Sequence, residues 1–153
     1  MGATSASERS DDRRRALLRA HYAAENANDL DRIMGTFSTG AGTAMVYNRQ
    51  EFTDPDGIRA AHTYIGFSAA GAFAGLQTIA DHEHLTAEEI VVEGRLRGKH
   101  VGEFQGFPPT GRDIELPFVA FYRFDDAGKL VSERVVMNLG PLGGQPGAVP
   151  QSA

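Results

Sequence analysis

Residues 89–104 read EIVVEGRLRGKHVGEF. The period of this stretch is two. Ile90, Val92, Leu96 and His100 fall on one side of an extended chain, and Glu93, Arg95, Arg97 and Lys99 fall on the other. That is the alternation of a strand with one face on a core and one toward water. His100 belongs to the apolar set, whereas its neighbour Lys99 does not. The same period continues on both sides of the stretch. Strands are predicted over 76–85, 89–104, 113–125 and 129–139, with Thr110-Gly111 and Ala127-Gly128 in the turns between the later ones. In 113–125, Ile114, Leu116, Phe118, Ala120, Tyr122 and Phe124 share a face, and Val119 and Phe121 lie opposite. In 129–139, Glu133 shares a face with Val131, Val135 and Met137, a carboxylate among apolar neighbours.

Upstream, the period becomes that of a helix. A first helix is predicted from about Asp12 to Asn26. A second opens at Asp29, a good N-cap, and sets Leu30, Ile33, Met34 and Phe37 on one face. Thr43 to Tyr47 reads as a short strand. A third helix opens with Asp54-Pro55 and carries Ile58, His62, Ile65, Ala69 and Phe73 as its inner stripe. Within it, residues 68–72 (SAAGA) have almost no side-chain volume. Either the backbone packs closely there or space is left for a ligand. Three helices followed by antiparallel strands imply an α+β fold with the helices on one sheet face. Strand 113–125, apolar on both faces, asks for a second cover, and a second copy of the chain is its simplest source. A homodimer is therefore expected.

The chain has 153 residues, enough for one domain with its own core. Residues 1–11 are expected to be a disordered tail, 12–140 the folded domain, and 141–153, rich in proline and glycine, a flexible tail. Apolar residues make up 41% and charged residues 23%, with a formal net charge of -5. A nucleic-acid partner would ask for a basic face. The one basic cluster, Arg13-Arg14-Arg15, follows Asp11-Asp12 and reads as the solvated start of a helix. The absence of cysteine excludes disulfides and thiolate chemistry. No stretch approaches the ~20 apolar residues of a membrane span, and no apolar leader is seen at the N-terminus. A cytoplasmic location with no membrane partner is expected.

Several words of sequence resemble a known family. Asn26-Ala27-Asn28-Asp29-Leu30 is similar to the helical hairpin of the nuclear transport factor 2-like superfamily. Gly98-Lys99-His100-Val101-Gly102-Glu103-Phe104, followed by Gly106-Phe107-Pro108-Pro109-Thr110-Gly111-Arg112, resembles the most distinctive run of its SnoaL-like polyketide cyclases. Tyr122-Arg123-Phe124 with Gly128-Lys129 resembles their last hairpin. The resemblance covers roughly residues 13–140. It implies a cone-shaped, curved antiparallel β-sheet with three N-terminal helices, the cystatin-like α+β roll. Aldol cyclases of this family carry a catalytic aspartate at the position of Val135 and a histidine at that of Ala120. Ketosteroid isomerases carry an oxyanion-hole aspartate at Ala120 and a general base at Asn48. Their helical tyrosine aligns with His21, beside Tyr22. The chain departs from both patterns, because neither base position holds a titratable group.

The groups left to act are Tyr47, His100 and Glu133, expected to point into the cone as catalytic residues. Tyr22, His62, Phe118 and Asn138 are expected to contact substrate. A His–Glu couple in an apolar cavity could deprotonate a hydroxyl and protonate a leaving oxygen. Epoxide opening or closure of an oxygen heterocycle needs those two steps and no cofactor. The sequence thus suggests a cofactor-independent cyclase of polyketide-type biosynthesis acting on a small hydrophobic substrate. The alternatives are an isomerase or epoxide hydrolase in the same pocket, or a binding protein without catalysis. His82 and His84 have the His-x-His spacing of metal ligands but no clear third ligand. They read as solvated edge residues, and no metal is expected.

Overall fold

The computed structural model describes residues 5–68 and 71–144. Helix α1 spans Ala6–Asn26 and starts six residues before the predicted Asp12. A capping box explains the earlier start. The Ser5 hydroxyl accepts from the Glu8 N–H at 3.2 Å, and the Glu8 carboxylate accepts from the Ser5 N–H at 2.6 Å. Residues 6–11, expected as tail, are therefore helical; residues 1–4 and the C-terminal stretch from 145 onward lie outside the described residues. Asp29 caps α2 (Leu30–Met34) through the Arg32 N–H. Phe37 lies beyond α2, where it bridges Leu130 and is buried.

Helix α3 spans Pro55–Ile65, with Asp54 accepting from the Gly57 N–H at 2.7 Å. It ends well short of Phe73, which instead opens a strand; Ala69 lies outside the described residues. Gly66 ends it at φ +129°, and a Cβ there would stand 2.2 Å from the Phe73 carbonyl oxygen. A Cβ on Gly71 would stand 2.3 Å from the Gly66 Cα. Gly66 and Gly71 thus serve close backbone packing, the first of the two readings left open by the sequence.

The strands are β1 (Ala44–Tyr47), β2 (Gln50–Phe52), β3 (Phe73–Leu85), β4 (Glu89–His100), β5 (Asp113–Phe124) and β6 (Leu130–Met137). They form one sheet in the order β2-β1-β6-β5-β4-β3. The pairing is antiparallel except at β1–β6, which is parallel, with Ala44 opposite Ser132. Register shifts at Ala74/Gln77, Ala80/His82 and Arg123/Phe124 bend the sheet. β2 was not predicted. It forms a hairpin with β1 through Asn48 and Arg49, both at positive φ. The Asn48 side chain exchanges two hydrogen bonds with the Met137 backbone, accepting at 2.7 Å and donating at 3.2 Å. The position matching the isomerase base therefore fastens β1 to β6.

One face of the sheet carries the core. Ile90, Val92, Leu96, Leu116, Ala120 and Tyr122 are buried there, as the alternation predicts. Each large side chain so buried contributes about 1.5–3 kcal/mol of hydrophobic stabilisation. α1 and α3 reach this face, through Tyr22 on Tyr122 and His62 on Glu133. Among the described residues, no helix is long and apolar enough to cross a membrane.

Candidate functional site

Three elements converge on one buried point. α1 supplies His21 and Glu25, four residues apart and so on one helix face. α3 supplies His62, and β6 supplies Glu133 through the alternation that also buries Val135 and Met137. None of the four side chains is more than 4% exposed. Their inward atoms all lie within 4.8 Å of one another. His21 Nε2 is 3.3 Å from the Glu25 carboxylate and 3.7 Å from that of Glu133. His62 Nε2 is 3.9 Å from the Glu133 carboxylate.

The outer nitrogens decide the tautomers. The Thr36 hydroxyl donates to the Ile33 carbonyl at 2.6 Å, so its oxygen accepts from His21 Nδ1–H at 2.8 Å. His62 Nδ1–H donates to the Ile58 carbonyl at 2.8 Å. Both imidazoles therefore turn Nε2 inward. His21 Nε2, His62 Nε2, Glu25 Oε2 and Glu133 Oε2 are all buried without a hydrogen-bond partner.

The electrostatics separate the four groups. Burial, with Glu25 nearby, pushes the Glu133 carboxyl up to about 7 against the pull of His21. Burial also pushes Glu25 up, but His21 outweighs it and the group lies below its ordinary value. Burial disfavours the His21 cation, yet Glu25 and then Glu133 outweigh it and raise its pKa. Burial and the neighbouring His21 lower His62 to about 4. At neutral pH the arrangement is thus a His21–Glu25 ion pair, a neutral His62 and a Glu133 poised between its two forms.

Beside the cluster lies a space of about 20 Å³, room for about one water molecule. Glu25, Glu133, Thr78 and Tyr122 line it together with Met45, Tyr47, Phe67, Leu96, Phe118 and Val135. Tyr22 donates to the Tyr122 hydroxyl at 3.0 Å, and burial raises the pKa of both phenols, so both stay neutral donors. The Tyr47 hydroxyl contacts the Met137 sulfur at 3.8 Å, and burial raises its pKa too.

Of the residues singled out in the sequence, Glu133 and His62 join the cluster, Tyr47 and Phe118 line the space, and Tyr22 adjoins it through Tyr122. The expected His100–Glu133 couple does not form. Glu133 stands opposite Tyr122, and Tyr122 opposite Ile90. His100 is ten residues further along β4, on the order of 30 Å of strand. It packs on Phe73, with ring centroids 5.2 Å apart, and its Nδ1 accepts from the Thr110 N–H at 3.3 Å. Asn138 is exposed and accepts from the Gly140 N–H, on the outer side of the sheet beside Val136. His82 and His84 are exposed, and His84 pairs with Glu93 at 2.7 Å. Glu25 did not stand out in the sequence, and His21 did so only as an aligned position. Their i, i+4 spacing on a core-facing helix was the available signal. Val135 and Ala120, the usual acid–base positions, face each other across β5–β6 without a polar side-chain atom. The carboxylate of this chain sits two residues earlier on the same face of β6, at Glu133.

Comparison with known proteins agrees with this frame. No curated protein matches the chain. AclR from Streptomyces galilaeus, described as a candidate hydroxylase, is 27% identical with a TM-score of 0.67, over 87% of this chain and 97% of that one. A candidate SnoaL-like polyketide cyclase from Jannaschia sp. CCS1 is 19% identical with a TM-score of 0.74, over 98% and 100%. SalBIII, an epoxide hydrolase/cyclase-like enzyme of pyran ring formation in the polyether salinomycin, is 14% identical with a TM-score of 0.68, over 84% and 93%. The last two likenesses, at under 25% identity, show the shared fold. The sequence pattern of the SnoaL-like polyketide cyclases matches residues 15–145, and the chain belongs to that family.

Proposed function

We propose that the chain is an enzyme of polyketide-type natural-product biosynthesis that opens an epoxide or closes an oxygen ring by proton transfer at the His21–Glu25–His62–Glu133 cluster. One observation carries the reading. The Glu133 carboxyl stands in the wall of the cavity between two inward-facing imidazole nitrogens, at 3.7 and 3.9 Å, with its Oε2 unpartnered. In ring closure a substrate hydroxyl oxygen attacks an epoxide carbon and gives its proton to His62 Nε2 or the Glu25 carboxylate. The epoxide C–O bond breaks, and its oxygen takes a proton from Glu133. His21, between the two carboxylates, returns the proton. No electron is gained or lost. Tyr122, with Tyr22 behind it, supplies a neutral hydroxyl to the reacting oxygens. SalBIII, named for pyran ring formation, supplies a precedent for this chemistry on this fold.

The space beside the cluster holds about one water. An organic substrate must therefore displace the apolar side chains around it, among them Phe118 and Phe67. The same size favours a second reading, hydrolysis, in which a water takes the place of the substrate hydroxyl. A panel of hydroxy-epoxide polyketide analogues, incubated in ¹⁸O-water, separates the two. Ring closure leaves the product unlabelled, and hydrolysis adds one ¹⁸O. In either case Glu133→Gln should lower turnover by about 10²-fold or more with the fold kept. Full activity in that variant, or return of every analogue unchanged by the wild type, contradicts the proposal.

A further inference from the structure

We propose that His21, Glu25, His62 and Glu133 form a binding site for one divalent first-row transition-metal ion, zinc in the first instance. The inference does not rest on proton transfer: the ion would take up the same four side chains, so the metal-bound form would be one in which they transfer no proton, and binding is read without substrate.

The geometry is the first argument. Two imidazole nitrogens and two carboxylates form a complete four-ligand set for zinc. A tetrahedral ion with bonds of about 2.0–2.2 Å holds neighbouring ligand atoms about 3.3–3.5 Å apart. The separations of 3.3, 3.7 and 3.9 Å, within a spread of 4.8 Å, are that arrangement slightly expanded. Contraction by less than about 1 Å at each ligand would close it.

The unpartnered atoms are the second argument. One atom of each residue is buried without a hydrogen bond, and all four belong to the same cluster. A buried polar atom left without a partner is costly. Four residues of one cluster, each with such an atom, ask for an occupant.

The outer contacts are the third. Each histidine has its Nδ1–H held, by Thr36 Oγ1 and by the Ile58 carbonyl, at 2.8 Å. That is how metal-binding histidines are oriented with the other nitrogen toward the ion. Charge is the fourth. Among the described residues, the ion pairs of Glu25 and Glu133 are with His21 and His62 alone, with no lysine or arginine. A divalent ion would neutralise the two buried carboxylates. The imidazoles disfavour calcium and magnesium, which prefer oxygen. The one-water space bordered by Glu25 and Glu133 leaves room for an exchangeable ligand. The expectation of a metal-free pocket gives way to this proposal.

The test is titration of the chelator-treated full chain with Zn²⁺ and Co²⁺, followed by calorimetry and visible absorption. One equivalent per chain should bind with a Kd below about 1 µM, and Co²⁺ should give the visible bands of a low-coordinate site. His62→Gln should weaken binding at least about 10²-fold, and Thr36→Val, which removes the outer contact to His21 together with the Thr36–Ile33 hydrogen bond but no proposed ligand, by about 10–100-fold. His84→Gln, at the exposed His-x-His, should change nothing. Absence of one-equivalent binding overturns the proposal. So does binding that survives His62→Gln and Thr36→Val or is lost in His84→Gln. If His62→Gln fails to fold, Thr36→Val and the wild-type stoichiometry still decide. Loss of turnover in Glu133→Gln under chelator bears on proton transfer alone, so the two ideas fail separately.

Discussion

Glu133 occupies a position that the alternation of β6 assigns to the core, and no side chain neutralises it fully. The sequence showed this much, because a carboxylate between Val131 and Val135 breaks an apolar face. His62 was legible in the same way, from the inner stripe of α3. Glu25 was not. A glutamate one residue from a helix end reads as solvated, and only the seating of α1 on the sheet turns it inward. His100 was legible as buried but not as distant, since face and position along a strand are separate facts. Its role in the structure is a fastening one. Its Nδ1 accepts from the Thr110 N–H, so a second proton has no place there. Burial lowers its pKa from 6.5, ahead of smaller effects that include the nearby Arg112 cation. As the pH falls through 6.5, the unfolded chain takes up this proton and the folded chain does not, so stability falls on the acid side. His100→Asn keeps an acceptor for Thr110 and removes the titration. Between about pH 7 and 5, its stability in denaturant unfolding should fall less than that of the wild type. Parallel profiles would contradict the assignment.

At the scale of elements, local chemistry explains most boundaries. Asp29 and Asp54 cap the helices they were expected to cap, and the predicted strands hold to within a few residues except at the C-terminal end of β4. The capping box at Ser5 and Glu8 was readable but outweighed by the polar composition around it. The parallel pairing of β1 with β6 was not readable, because Ala44 and Ser132 are far apart in sequence and β1 is only four residues long. The end of α3 depends on one glycine. Gly66 combines φ +129° with a carbonyl oxygen 2.2 Å from where a Cβ would stand. Gly66→Ala should cost about 2–4 kcal/mol in chemical denaturation, because strain and collision with backbone add. A loss below about 1 kcal/mol would mean that the α3–β3 junction is loose.

At the scale of the molecule, the two faces of the sheet do different work. The outer face carries ion pairs linking Arg95 to Asp81 and Glu115, the Arg134 guanidinium 5.0 Å over Phe121, and an exposed Val136. The expected homodimer would bury the strip around Val119, Phe121 and Val136. The inner face carries the core, and within it the four-residue cluster, where burial of the Glu133 carboxylate costs stability. On the proposed function, Glu133 is kept for proton transfer at a cost in cohesion. The most direct test is the melting temperature of metal-free Glu133→Gln beside the wild type at about pH 8. Gln is nearly the same shape and removes the buried charge. Glu133→Gln should gain about 1–2 kcal/mol, seen as a melting point higher by roughly 3–6 °C. A melting point at or below that of the wild type would show Glu133 to be a structural residue and would contradict its proposed role in proton transfer.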